Sequence, residues 1–394
     1  ICISGIDENG EEKISKIEVP IYEYNNIEKI REYQRHNDAA LTILNETAIQ
    51  QLVNAWEKLL GDLLSWYLQK NPDAAARDKT ISFSEILQYH SFDEVRNKVI
   101  DKEVEDFLKR KDTTEQLNYM RDELKADLST HFPLFPHLKE IVLRRHAIVH
   151  AGGVATGEYL RKARKIKGLN VEECPEGSPL KINAKYVTDS WNCIYAAGVI
   201  LMHIVAKNVA RINKSTESEA RADEFLLRSA FSNIENMQYD SAKLILEYAN
   251  KNRLSEDTSN LIAKVNLAQT YKWMGNEVAC EKILSSTDWN ACNSLFQLCV
   301  NALRDNYAEF VQLLPEVIRQ KKITIKDVYE WPVFQLVRKA ENFDEAVEAA
   351  FGEKKPRRQK AFDPKILNFT PEKTLEELQK FISLDMEIEP NTAC

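Results

Sequence analysis

The spacing of apolar residues constrains this chain more than any other feature. Leu52, Trp56, Leu59, Leu60, Leu63 and Tyr67 recur at three and four positions, which lays one broad apolar stripe along a helix. Glycine and proline are scarce, 11 and 12 among 394 residues, and long stretches are built of Ala, Leu, Glu and Lys. An all-α fold is the expectation. With 44% hydrophobic and 29% charged residues, the chain suits a globular protein of two or three domains.

Start and stop signals divide the pattern. Ser82 with Glu85, Ser91 with Glu94 and Thr113 with Gln116 have capping-box spacing and predict helix starts near 83, 92 and 114. Asn71-Pro72 ends the striped helix, and His131 to Pro136 reads as an apolar, proline-broken link that packs on the core. A helix from about His137 to His150 closes at Gly152-Gly153, a short helix covers Glu158 to Lys167, and Gly168 to Pro179 is a loop. A long helix from about Lys185 to Ile212, carrying Trp191, Tyr195, Ile200, Leu201, Ile204 and Val205, completes a bundle over residues 36–213.

The ends differ. In residues 1–35, Asp7-Glu8-Asn9-Gly10 separates β-branched runs, which predicts a short β arm or hairpin. Lys214 to Glu219 reads as a linker. From 220 to 352, turn residues at Tyr239-Asp240, Gly275-Asn276, Asp305-Asn306 and Asn342-Phe343 recur at a period of about 34, with small residues where helices would touch. That is the pattern of tetratricopeptide-like (TPR-like) helical repeats, whose last pair is broken at Trp331-Pro332. Such stacks present a concave surface, so a protein partner that regulates the bundle is expected there. Residues 353–394 read as a basic linker, with Lys354, Lys355, Arg357 and Arg358, and an acidic tail.

Net charge is −8, so any nucleic-acid contact must come from a local basic patch. The seven cysteines form no CxxC pair and no metal-ligand spacing, which points to reduced thiols and a cytoplasmic location. The longest apolar run, Ile194 to Val205, is about half of the ~20 residues needed to span a bilayer, so no membrane association is expected.

The chemistry concentrates at Arg144-Arg145-His146-Ala147-Ile148-Val149-His150-Ala151-Gly152-Gly153. A fixed cation beside a group that titrates near neutrality is the minimal set for metal-free phosphodiester cleavage. RNA brings its own 2′-hydroxyl nucleophile, neutral imidazole can take its proton, and imidazolium can protonate the departing 5′-oxygen. His150 is the catalytic candidate, Arg145 the phosphate clamp and His146 a secondary donor. Arg144, Arg161, Lys162, Arg164 and Lys165 are RNA-binding candidates that would guide the backbone in. Neither a metal nor a cofactor is expected. Arg145 and His150 lie five positions apart, ~140° around an ideal helix, so one protomer places them poorly together. Two-fold pairing of this helix would bring two such sets face to face, which makes a homodimer the expected unit. Competing readings are a buried network that merely holds the helix, and a zinc site, which lacks the Glu after His146.

Arg145-His146-Ala147-Ile148-Val149-His150-Ala151-Gly152-Gly153, with Tyr159-Leu160-Arg161-Lys162 close behind, resembles a bacterial branch of the HEPN family. The resemblance covers roughly residues 40 to 213. Spacing alone also fits Arg31 and His36, without the apolar surroundings or the glycine stop. The resemblance implies a HEPN-like helical bundle with metal-independent endoribonuclease activity. It also implies a 2′,3′-cyclic phosphate product, homodimerisation, and a toxin or antiviral abortive-infection role, with transfer RNA among the substrates. Family toxins silenced by nucleotidylation carry Tyr two residues after the His. Gly152 stands there, so a paired nucleotidyltransferase antitoxin is not expected. A non-catalytic dimeric scaffold that binds a protein partner is the rival reading.

Overall fold

The computed structural model describes residues 2–6, 12–16, 24–77, 80–109, 113–169 and 174–354. Strands β1 (Cys2–Ile6) and β2 (Glu12–Lys16) pair antiparallel, with Cys2 opposite Lys16. Among the described residues every other element is a helix, so the chain is mostly α-helical. The basic linker and tail expected beyond Lys354 lie outside the described residues.

Among the described residues the first nine helices are α1 (Tyr24–Lys70), α2 (Pro72–Ala76), α3 (Phe83–Ile86), α4 (Phe92–Leu108), α5 (Thr113–Leu124), α6 (Leu128–His131), α7 (Phe135–Ala151), α8 (Gly157–Ala163) and α9 (Ala184–Ile212). Capping chemistry sets several of these ends. Ser82 Oγ accepts from the Glu85 N–H while the Glu85 carboxylate accepts from the Ser82 N–H, and Ser91 Oγ accepts from the Glu94 N–H. Helix α1 starts well before Leu41, where the stripe becomes legible. Residues 32–44 are exposed all round, so no burial imposes a periodic pattern on them. Arg31 and His36 therefore lie within a helix, contrary to the expectation of an arm through residue 35.

The described chain forms two compact units, residues 1–54 with 136–191 and residues 55–135 with 192–394. Helices α1 and α9 each contribute residues to both. In the first unit, Ala147, Ala155, Tyr159, Leu160 and Ala163 form a small core, with Leu143, Leu169, Cys174 and Leu180 packed against it. In the second, Trp56, Leu60, Leu64, Phe107, Met120, Phe132, Ile200, Leu201 and Val205 are buried. Contrary to the sequence count, α9 is long and apolar enough to cross a membrane by length and composition, and 72% of its apolar window is buried as in a core helix.

The expected linker at Lys214 to Glu219 is instead the start of α10 (Thr216–Glu235). Ser215 is its N-cap, accepting from the Ser218 N–H, and Glu217 and Glu219 suit the positive end of the helix. Polar residues that resemble a linker here form a helix start. The remaining helices are α11 (Tyr239–Lys251), α12 (Asp257–Trp273), α13 (Glu277–Leu284), α14 (Ser294–Leu303), α15 (Tyr307–Arg319), α16 (Ile325–Glu330) and α17 (Phe343–Phe351). α10 packs on α11, α12 on α13, and α14 on α15. The same turn joins each pair. Met237, Gly275 and Asp305 adopt left-handed backbone at φ 59°, 74° and 59°. The following N–H groups of Gln238, Asn276 and Asn306 reach back to the carbonyls of Asn233, Tyr271 and Asn301.

A buried polar cluster ties α9, α10 and α11 together. Asp223 accepts from His203 Nε2 at 2.8 Å, from Lys207 Nζ at 3.0 Å, and from the Ser255 N–H and Oγ at 2.6 Å each. His203 Nδ1 faces the Tyr248 hydroxyl at 2.9 Å. Because the carboxylate only accepts, Nε2 carries the proton and Tyr248 donates to Nδ1. Burial opposes ionisation of Asp223, but the His203 and Ser255 hydrogen bonds outweigh it and hold its carboxyl below the usual carboxylate range. Burial likewise pushes His203 down, favouring neutral imidazole. Both shifts act in one direction: the folded state takes up fewer protons than the unfolded one, so stability is full near neutrality and is lost as pH falls. Ser255→Ala removes one hydrogen bond to this charge and should cost about 1.5–3 kcal/mol in urea denaturation at pH 7. That difference should shrink on acidification.

Candidate functional site

The site is built on the last turns of α7. Leu143, His146, Ala147, His150 and Ala151 fall at i, i+3, i+4, i+7 and i+8, which is one helix face. They form one wall of an open cleft of about 200 Å³, and Thr156, Glu158, Tyr159 and Lys162 form the other. The helix must stop where it does to make this cleft. Gly152 and Gly153 sit at φ +60° and +75°, and the Gly153 N–H bonds to the Ala147 carbonyl. A side chain at Gly153 would also lie 2.7 Å from Glu46 Oε1, so that flexible carboxylate would have to move aside.

After the glycines the chain folds back in a short ladder. The Leu180 N–H donates to the Gly153 carbonyl, the Ala155 N–H to Ser178 and the Gly177 N–H to Ala155. Thr156 then caps α8, its Oγ1 accepting from the Tyr159 N–H at 3.1 Å, and the Glu176 carboxylate accepts from the Gly157 N–H at 2.9 Å. These bonds fix where α8 presents Glu158 and Lys162.

His146 and His150 are exposed, with ring centroids 4.4 Å apart at a 48° tilt. The pKa of His146 is lowered, first by desolvation and then by the neighbouring charges of His150, Lys162 and Arg145, against which Glu158 pulls upward. It is thus biased toward neutral imidazole. Lys162 Nζ pairs with Glu158 Oε1 at 2.9 Å, with side chains 39% and 58% exposed.

The other cations lie elsewhere. Arg145 points to α1, where an Nη donates to Asn54 Oδ1 at 3.1 Å. That direction is roughly 170° around the helix from the centre of the cleft face. Arg144 is internally engaged, contrary to its expected role as an RNA contact. Its Nε donates to Glu140 Oε1 at 2.7 Å, its Nη1 donates to the Lys181 carbonyl at 2.7 Å, and its guanidinium lies 4.1 Å over the Tyr186 ring. Burial alone would lower its pKa, but Tyr186, Glu140 and Tyr159 outweigh that and raise it. Glu140 also accepts from the Tyr159 hydroxyl at 2.7 Å and the Tyr186 hydroxyl at 2.6 Å. Arg161, Arg164 and Lys165 are exposed and do not line the cleft.

Of the eight residues singled out from sequence, the fold therefore gathers His146, His150 and Lys162 in one cleft and directs Arg144 and Arg145 away. Sequence reasoning missed Glu158, Thr156 and Glu140. Glu158 was detectable as the i,i+4 partner of Lys162, and Thr156 as a cap three residues before Tyr159. Glu140 carried the weaker signal of an i,i+4 spacing to Arg144. Among the described residues, no group of three His, Cys, Asp or Glu is arranged to hold a metal ion. Comparison with protein-family models, with curated proteins and with solved structures finds no match to this chain.

Proposed function

We propose that this cleft cleaves RNA by metal-independent transphosphorylation, as in the HEPN-type endoribonucleases that its motif resembles. The supporting observation is a pair of imidazoles 4.4 Å apart in an open cleft, one of them biased toward the neutral form. His146 takes the proton from the ribose 2′-hydroxyl while its oxygen forms a bond to phosphorus. The bond from phosphorus to the 5′-oxygen breaks as protonated His150 donates to that oxygen. The products are a 2′,3′-cyclic phosphate and a 5′-hydroxyl, and each proton transfer is worth roughly 10²–10⁴-fold in rate.

The test is purified protein with total RNA in EDTA, followed by end-group analysis of the fragments. Cleavage that survives EDTA and leaves cyclic phosphate ends is the expected result. Intact RNA at every pH and RNA class tried would replace the nuclease reading with that of a non-catalytic scaffold. Arg145 enters this reading through dimerisation, because two-fold pairing of α7 is the arrangement by which one copy's guanidinium would reach the other's cleft. In that case inactive Arg145→Ala and inactive His150→Ala proteins, mixed and allowed to exchange, recover a fraction of wild-type activity.

A further inference from the structure

We propose that Glu158 and Lys162 form a displaceable ion-pair latch beside the two imidazoles, and that Lys162, freed when a phosphodiester enters, is the cation that grips the scissile phosphate. This rests on the RNA-cleavage reading and assigns the phosphate contact within one chain to α8, beside any that Arg145 of a second copy would supply.

The assignment follows from where the positive charges go. Arg144 is committed to Glu140 and the Lys181 carbonyl, and Arg145 reaches Asn54 on α1. Lys162 lines the same cleft as His146 and His150. Among the described residues its ionic partner is Glu158 at 2.9 Å, and both side chains are more than one third exposed. An exposed pair of this kind is held weakly, so a phosphate anion can displace the carboxylate. An ammonium is a compact point charge on a flexible stem, suited to following a phosphate as its geometry changes during reaction. Leu143, Ala147 and Ala151 give the cleft an apolar side that leaves this charge as its main anion-attracting group.

The carboxylate has a selective effect. With Glu158 in place the cleft offers little net attraction to an isolated small anion. A polyanionic strand, held also by contacts outside the cleft, can displace it. The occupant is therefore a single-stranded oligonucleotide phosphate rather than free phosphate or a mononucleotide.

Binding of a fluorescent, non-cleavable 2′-deoxyoligonucleotide to the full chain tests this without turnover. Lys162→Gln should weaken binding about tenfold and flatten the salt dependence by about 0.7 in the log–log slope, as expected for one lost contact to a single strand. Glu158→Gln should tighten binding about threefold and improve competition by inorganic phosphate. Lys162→Arg should restore most of the affinity. The latch is overturned if Lys162→Gln binds within twofold of wild type with the same slope, if Glu158→Gln weakens binding, or if the wild type does not bind the oligonucleotide. Binding that responds as expected while RNA stays intact would retain the latch and remove the nuclease reading. RNA cleavage with binding indifferent to Lys162 would do the reverse.

Discussion

His150→Ala should reduce the single-turnover rate of RNA cleavage about thousandfold, with the fold intact by circular dichroism and thermal melting. The side chain is exposed at the end of α7, so its removal leaves no buried cavity and no orphaned internal partner. The loss is therefore chemical, within the range expected when one proton-transfer group is removed. His146→Ala should be comparably damaging but change the pH dependence differently. Desolvation lowers the pKa of His146, and His150, Lys162 and Arg145 reinforce the shift against the opposing pull of Glu158. The base must be neutral and the acid protonated, so the wild-type profile should be a bell whose acidic limb, set by His146, lies below the usual imidazole value of about 6.5. In His146→Ala that acidic limb should vanish. A limb that persists unchanged would assign the base to another group.

Glu140→Ala should be the most destabilising single change near the site, costing about 3–5 kcal/mol. Glu140 is buried and accepts from Arg144, Tyr159 and Tyr186, so one carboxylate joins α7 to α8 and to the first turns of α9. Deleting it leaves the half-buried Arg144 guanidinium without its counter-ion, which is costlier than losing the pair as a whole. Burial and Glu140 keep the Tyr159 hydroxyl protonated well beyond neutrality, so it stays a donor across the working range. Urea denaturation and a lowered melting temperature would report the loss. Glu140→Gln keeps the shape and part of the hydrogen bonding but not the charge, and Glu140→Ala with Arg144→Leu should recover much of the stability. A cost below about 1 kcal/mol for Glu140→Ala would mean that the pair contributes little to holding the wall of the cleft.

Much of the architecture was written in local chemistry. Ser82, Ser91 and Ser215 cap helices that begin beside them, and the Leu52 to Tyr67 stripe is part of α1. Ser215 shows how such a signal can still be misread, because Ser-Thr-Glu-Ser-Glu has both the composition of a linker and the chemistry of a helix start. The outer half of α1 left no stripe because residues 32–44 are exposed and no burial selects apolar positions there. At the site, the face shared by His146 and His150 followed from helical periodicity. Arg144 and Arg145 were harder, since adjacent residues on a helix diverge by ~100° and their destinations depend on Glu140 and Asn54. Asn54 is distant in sequence from Arg145, and no local rule brings them together.

The Glu140 junction changes how variants of this chain should be interpreted. Under the proposed activity, substitutions at Tyr186 or Arg144 should lower it in a cell-based screen and mimic loss of a reactive group, although neither lines the cleft. Their inactivity should yield to growth at low temperature or to a stabilising second-site change, whereas that of His150 should resist both. Rescue by cooling thus separates the residues that do the chemistry from those that keep its floor in place.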